Sequence, residues 1–434
     1  MHTFSVCTCI FISITLSSII IPLVNMLSAV KNTVAPVKVL VLGGCYSGLA
    51  AGFNLLDLCN GRPARFDAVQ AAAERTTQIP VQIKVIDERD GYYHVIGSPL
   101  ALASSEYADK AWTKFEDLPA FRGGGLSYQH GSARNVDTER KVATVFDSIT
   151  GKEFEENYDY LIAGTGLRRA WPAVPHSFKR EDYLTEAGDH IKSVQNASQG
   201  IVVIGGGAVG IEMAAELKLV EPALSVKLIQ SRDKLLSSEP LPDDFKDRTL
   251  LTLQEAGVEV ILGQRVQETI PVASADGSPL FKLVLADGTS LTASKVIKAV
   301  SSSIPSTSYL PATALDNEGY VKVSPRMEFK SDLPNASSHF AVGDIASWSG
   351  IKRCGAAMAM GKLAAVNIHQ QLLQKATGKE PKYLEFPEVP PMIAIAVGKK
   401  AVLYGPEDGT TCSEANMKMM FGDDLGFTSK LSIL

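Results

Sequence analysis

The sequence predicts an α/β protein of two three-layer domains, the second inserted in the first, followed by a small C-terminal α+β segment. Three observations predict it. An apolar run, Val39-Leu40-Val41-Leu42, feeds Gly43-Gly44-Cys45-Tyr46-Ser47-Gly48 and then a stretch of small residues. About 160 residues later, Ile201-Val202-Val203-Ile204 feeds Gly205-Gly206-Gly207-Ala208-Val209-Gly210 in the same way. A third apolar run, Phe340-Ala341-Val342, ends in Gly343-Asp344 ahead of another small-residue helix. A strand that enters a glycine turn and then a helix leaves open backbone amides at the positive end of the helix, which suits a pyrophosphate. Two such loops in one chain define two Rossmann-like units, for two dinucleotides that face each other.

The 434 residues are enough for two or three cores and too many for an ordinary single domain. A formal net charge of −5 offers no basic surface, so no nucleic-acid partner is expected. The six cysteines (Cys7, Cys9, Cys45, Cys59, Cys354 and Cys412) contain no C-x-x-C or C-x-x-x-x-C pair. They form neither a disulfide framework nor a zinc site, and no metal is expected. Passing electrons to a disulfide needs two thiols close enough to bridge, so disulfide reduction is not expected.

Residues 4 to 24 carry no charge and, at about 1.5 Å per residue, are long enough to cross a hydrocarbon core. No Lys or Arg precedes this run, whereas Lys31 and Lys38 follow it, which favours an anchor with the remainder on the cytosolic side. Residues 1 to 30 are therefore read as an anchor or signal, and the catalytic part as cytosolic and membrane-associated. Two alternatives stand beside this. Cleavage near Ser28-Ala29 would give a secreted protein, and a start at Met26 would give a cytosolic one.

The first domain begins at residue 37 and runs to 196. A helix is expected over Leu49 to Cys59, then an insertion over residues 61 to 80 with a short helix around Ala68 to Glu74. The next strand, Val81 to Ile86, ends at Asp87, where a Rossmann unit places an acidic side chain to accept bonds from a ribose. Asp87 lies 44 residues beyond Gly43, against about 20 in a compact unit, and the insertion accounts for the excess. Residues 127 to 146 read as a hairpin around Gly131 and Asp137, and Ala133 is assigned to the first site. Tyr158 to Ala163 is a strand entering Gly164-Thr165-Gly166, and 167 to 199 reads as a polar connection.

The second domain spans 197 to 325, with Glu212 and Glu216 on its first helix. Its second strand ends in Gln230-Ser231-Arg232 rather than in a carboxylate. Gln230 has no charge to repel a 2′-phosphate, and Ser231 and Arg232 are able to bind one, so NADPH, or both nicotinamide cofactors, is favoured over strict NADH. The chain returns to the first domain over 326 to 375, where Asp344 would accept bonds from ribityl hydroxyls. Strand-like pieces at Met392 to Val397 and Lys400 to Tyr404 occupy the C-terminal segment, 376 to 434. There Met417 to Phe421 is read as core, with an apolar edge facing membrane or quinone as the alternative. The economical assignment is FAD on the first loop and NAD(P)H on the second, with hydride passing between them.

These residues together resemble the two-dinucleotide-binding-domain flavoproteins. Within that group the chain is most similar to the apoptosis-inducing-factor-like, ferroptosis-suppressor type in a fungal-looking version, with type II NADH dehydrogenases as cousins. The resemblance covers about residues 37 to 375 and rests on four landmarks: Gly43-Gly44-x-x-Ser47-Gly48, Ala163-Gly164-Thr165-Gly166, Gly205-Gly206-Gly207-x-x-Gly210-x-Glu212, and Val342-Gly343-Asp344. It implies non-covalent FAD at the first, second and fourth landmarks and NAD(P)H on an inserted lobe, with Glu212 beside the nicotinamide. Departures from the pattern are Cys45 at the middle glycine, Ser301-Ser302-Ser303-Ile304-Pro305 where relatives usually have a glycine before the proline, and Met360-Gly361 in place of Gln-Gly. Lys352 or Arg353 is expected to stabilise negative charge on flavin or acceptor. Without paired cysteines the expected acceptor is quinone-like, and the oligomeric state a monomer or weak homodimer. A reductase of a small electron-carrier protein and a redox-dependent signalling flavoprotein are the alternatives.

Overall fold

The computed structural model describes residues 35–65, 77–274, 277–300, 304–330 and 332–428. The chain divides into Met1–Pro36 and Val37–Leu434, and the architecture below is that of the second unit. Strand β1 (Val37–Leu42) runs into the first glycine turn and helix α1 (Tyr46–Cys59), and β2 (Val81–Asp87) returns parallel to β1. Val39 to Leu42 are all buried, as expected of a parallel strand covered on both faces. Strand β3 (Leu126–Asp137) pairs parallel to β2, then folds back antiparallel through β4 (Val142–Asp147) and β5 (Glu153–Asn157). Strand β6 (Tyr160–Ala163) lies on the other side of β1.

Helix α2 (Arg180–Gln195) leads into the second glycine-loop region: β7 (Ile201–Ile204), α3 (Ala208–Val220), β8 (Val226–Ile229), α4 (Asp243–Glu255) and β9 (Glu259–Ile261). An antiparallel meander follows, β10 (Val266–Val272), β11 (Leu280–Leu285) and β12 (Ser290–Ala293), before β13 (Lys295–Lys298) joins β7. The second sheet is all parallel, in the order β9-β8-β7-β13. Strand β14 (His339–Ala341) then pairs with β6, completing the first sheet as β14-β6-β1-β2-β3-β4-β5. The second sheet thus arises between two strands of the first.

Helix α5 (Cys354–Thr377) packs along α1 over the first sheet. A C-terminal meander of β15 (Ile393–Val397), β16 (Lys400–Gly405) and β17 (Gly409–Ser413), with helix α6 (Glu414–Phe421), packs on α3 and α4. Its buried residues Ile395, Val397 and Val402 share one core with Ile211 and Leu217 of α3 and Phe245 of α4.

Four local expectations are corrected. The turn after β3 falls between Asp137 and Val142, not at Gly131, which lies within the strand. A Cβ at Gly131 would stand 2.3 Å from the Phe146 carbonyl oxygen, so the glycine serves strand contact rather than a turn. The polar connection contains a four-turn helix, α2, that buries Tyr183, Ala187, Ile191 and Val194 under a charged outer face. The C-terminal segment has a third strand, β17, and Met419 and Met420 are 69% and 43% exposed rather than core. The helix expected around Ala68 to Glu74, Ser303 and residues 4 to 24 lie outside the described residues. Among the described residues no helix is long and apolar enough to cross a membrane.

Candidate functional site

The two glycine loops repeat each other's constraints at their first and last glycines. Gly43 has φ +103°, and a Cβ there would stand 2.4 Å from the Gly164 carbonyl oxygen. Gly205 has φ +115°, and its Cβ would stand 2.7 Å from the Ala299 carbonyl oxygen. The last glycine of each loop lets the helix lie on the turn: a Cβ would be 1.8 Å from Gly43 O at Gly48, and 1.9 Å from Gly205 O at Gly210. Only glycine meets both demands without moving backbone.

The side chains ending the second strands also correspond. Asp87 Oδ2 accepts the Gly44 N–H at 2.6 Å, and Gln230 Oε1 accepts the Gly206 N–H at 3.1 Å. Burial raises the Asp87 carboxyl above its ordinary range, while Arg89 and the amides of Gly44 and Arg89 act in the other direction. Gln230 is 9% exposed, and its Nε2 donates to Lys234 O and Ser237 Oγ. Beyond it Ser231 and Arg232 are exposed. The Arg232 guanidinium reaches only Ser237 O, at 3.5 Å, and among the described residues no carboxylate pairs with it.

The middle position of the loops differs. At Gly207 a Cβ would meet nothing within 4 Å among the described residues, so this space is open above the start of α3. The corresponding Cys45 turns its thiol aside, and Sγ donates to the Tyr93 carbonyl at 3.5 Å. Burial pushes that thiol up to about 12, so it stays protonated and is a poor nucleophile. Replacing Cys45 with Ala is therefore expected to keep bound flavin and to cost less than about 1.5 kcal/mol of stability, the scale of one hydrogen bond. The ratio of visible to protein absorbance and a thermal melt check both.

A cavity of about 980 Å³ begins at the first loop. Gly43, Gly44, Ser47 and Asp87 form one end, with Ala133, Thr165 and Gly166 beside them. Asp344 and Lys352, the face of α3 at Ala208, Val209 and Glu212, and Tyr404 with the exposed Met419 and Met420 line the same space. Ten of the seventeen residues singled out from the sequence line this one space. Gly48 and Gly343 support it from behind, and a Cβ at Gly343, where φ is +73°, would stand 2.7 Å from Ser47 Oγ. Gly205, Gly207, Gly210, Ser231 and Arg232 are not in its wall and belong to the second loop and the β8 end.

Thr165 Oγ1 donates to Ser306 O at 2.6 Å, which ties the Gly164-Thr165-Gly166 turn to the returning chain. Asp344 Oδ2 accepts from Arg169 at 3.3 Å. Lys352 lines the cavity, but its ammonium donates to Ala346 O and lies 4.9 Å from the Tyr320 ring centroid. Burial lowers its pKa, with Asp344 and Asp316 opposing. Arg353 donates to Met392 Sδ at 2.8 Å. Glu212 Oε1 accepts the Ala396 N–H of β15 at 3.1 Å, and burial raises its carboxyl to about 8.

Sequence reasoning missed Arg169, 175 residues from its carboxylate partner, and ranked the apolar-edge reading of the α6 methionines, which line the cavity, behind core. The Arg168-Arg169 pair directly after the Gly166 turn was a usable signal for the first. For the second, the Met-Lys-Met-Met-Phe run carried the right chemistry, but its exposure depends on how α6 docks.

The model of the pyridine nucleotide-disulphide oxidoreductase family matches residues 37–361. The chain is 51% identical to Oxidoreductase OXR1 of Ajellomyces capsulatus over 403 residues, which is 92% of this chain and 87% of that one. It is 25% identical to Ferroptosis suppressor protein 1 of Mus musculus over 351 residues, 80% of this chain and 84% of that one. Among solved structures, a NAD-dependent persulfide reductase from A. fulgidus shares the fold with a TM-score of 0.62 at 21% identity, over 88% of this chain. This chain spans 65% of that protein's length. The chain therefore belongs to the pyridine nucleotide-disulphide oxidoreductase family. It is an oxidoreductase, and its cofactors are FAD and NAD(P)H.

The residues present fit both groups. The first loop packs tightly at Gly43 and Gly48, and Gly43, Gly44 and the Asp87 side chain at the end of β2 line the cavity. The open space above Gly207 fits a second pyrophosphate.

Proposed function

We propose that this chain oxidises NAD(P)H, preferring NADPH, and delivers the electrons to a quinone-like acceptor. FAD, when bound, supplies the chemistry of taking up hydride from the nicotinamide and releasing electrons onward. The protein's part is placement. Gly43, Gly44, Ser47 and Asp87 would hold the adenosine and pyrophosphate of FAD, and Thr165, Gly166, Gly343 and Asp344 its ribityl side. Gly205, Gly207 and Gly210 would seat the second pyrophosphate, Ser231 and Arg232 a 2′-phosphate, and Glu212 the nicotinamide end.

The observation that supports the acceptor class is continuity. One cavity is lined by the first glycine loop and, at its exposed mouth, by Met419 and Met420, with Met392, Tyr404, Asp408 and Thr411 also in its wall. Thioethers and an aromatic ring accept a flat, apolar ring system of varied substitution. Association with a membrane through residues 4 to 24 is part of the same proposal, because apolar quinones reside in bilayers.

Steady-state NADPH oxidation with a short-chain ubiquinone tests this reading, and quinone-dependent turnover is expected. Putting a charge at the mouth with Met420→Glu is expected to raise the quinone KM by roughly tenfold, the loss of one methionine contact of about 1.5 kcal/mol. The NADPH KM should not change. Turnover that depends on a small electron-carrier protein and ignores ubiquinone would replace this acceptor with the carrier.

A further inference from the structure

Two carboxyls lie one turn apart on α3 and face the same way. Glu212 is in the cavity wall, one oxygen held by the Ala396 amide. Glu216 is directly behind it at i+4, 1% exposed, and its Oε1 has no hydrogen-bond partner among the described residues. A buried carboxyl oxygen without a donor is costly as an anion and tolerable when the group carries a proton.

We propose that Glu216 is a positioning residue for Glu212, which keeps a proton on Glu212 so that the pair supplies the proton taken up by a two-electron, two-proton acceptor. This rests on the quinone-like reading above. The nicotinamide gives up two electrons and one proton as hydride, and a quinone-like acceptor gains two electrons and two protons. The second proton is the one assigned to Glu212, which is left as a carboxylate until solvent returns it.

The surroundings agree. The helix Ser98–Ala101, β7 and β15, which pack on α3, bring no titratable side chain. Lys227 on β8 pairs with Glu259 instead. Tyr107, the other titratable group coupled to Glu216, gives its hydroxyl hydrogen to Asp424 O at 2.7 Å and stays neutral. Burial lifts Glu216 to about 7; burial also lifts Glu212 to about 8, against the Ala396 amide, with the charge of Glu216 as a smaller addition.

Infrared titration of the full-length chain, without acceptor, reads the protonated carboxyls directly. In the parent two buried carboxyls should lose their protons near neutral to mildly alkaline pH. Glu216→Gln should remove one of them and move the other to lower pH, because Glu212 loses a negative neighbour. The alkaline limb of the kcat profile with quinone should move the same way, with the NADPH KM unchanged, and Glu216→Asp should restore both. Quinone turnover with an unmoved Glu212 titration in Glu216→Gln overturns the role of Glu216 alone. A moved titration without quinone turnover in the parent overturns the proton-supply role together with the acceptor reading.

Discussion

Gly48→Ala is expected to purify without flavin colour. The added Cβ would stand 1.8 Å from the Gly43 carbonyl oxygen and 3.2 Å from Val41 Cγ1, so α1 must lift off the turn that its first residues cap. Overpacking of this kind costs about 3 kcal/mol, about a hundredfold in flavin affinity if the cost falls on the bound state. The contrast is Gly207→Ala in the second loop, where the Cβ meets nothing within 4 Å among the described residues. That variant should keep its flavin and its melting temperature and lose affinity for NAD(P)H, because the new methyl occupies the space assigned to the pyrophosphate. If Gly48→Ala keeps a full flavin spectrum, the first loop is not the FAD site.

Arg232→Ala is expected to raise the NADPH KM by about 10- to 100-fold while sparing NADH, since charged hydrogen bonds to a phosphate are worth about 1.5–3 kcal/mol. The guanidinium is exposed, unpaired with any described carboxylate, and lies two residues beyond Gln230 at the end of β8. Gln230→Glu should act in the same sense, adding a carboxylate that repels a 2′-phosphate and accepts from ribose hydroxyls. It gives up the bonds of Gln230 Nε2 to Lys234 O and Ser237 Oγ, so some loss of stability should accompany it. Equal changes in NADPH and NADH kinetics on removing Arg232 would make it an ordinary surface arginine.

The parts legible in the sequence are those where backbone geometry leaves no choice of residue. Gly43, Gly48, Gly205 and Gly210 are fixed by approaches of under 3 Å to other backbone, and such constraints show as glycine wherever they fall. Asp87 and Gly343-Asp344 are legible because each ends an apolar strand. What escaped reading depends on tertiary contact. Helix α2 exposes Glu181, Asp182 and Asp189, and its buried Tyr183, Ala187, Ile191 and Val194 are spaced widely enough to pass as a polar linker. Strand β17 is Gly-Thr-Thr-Cys-Ser, polar on both faces, and is a strand only because β16 offers it an edge. The pairing of Arg169 with Asp344 joins residues whose proximity follows from the return of β14 to the first sheet. No local pattern announces it.

The most direct test of the account is an anaerobic titration of the purified full-length chain followed by its visible spectrum. The expected result is a flavin spectrum that is bleached by one equivalent of NADPH and restored by one equivalent of short-chain ubiquinone. A chain that carries no flavin, or a flavin that NADPH does not bleach, would contradict it.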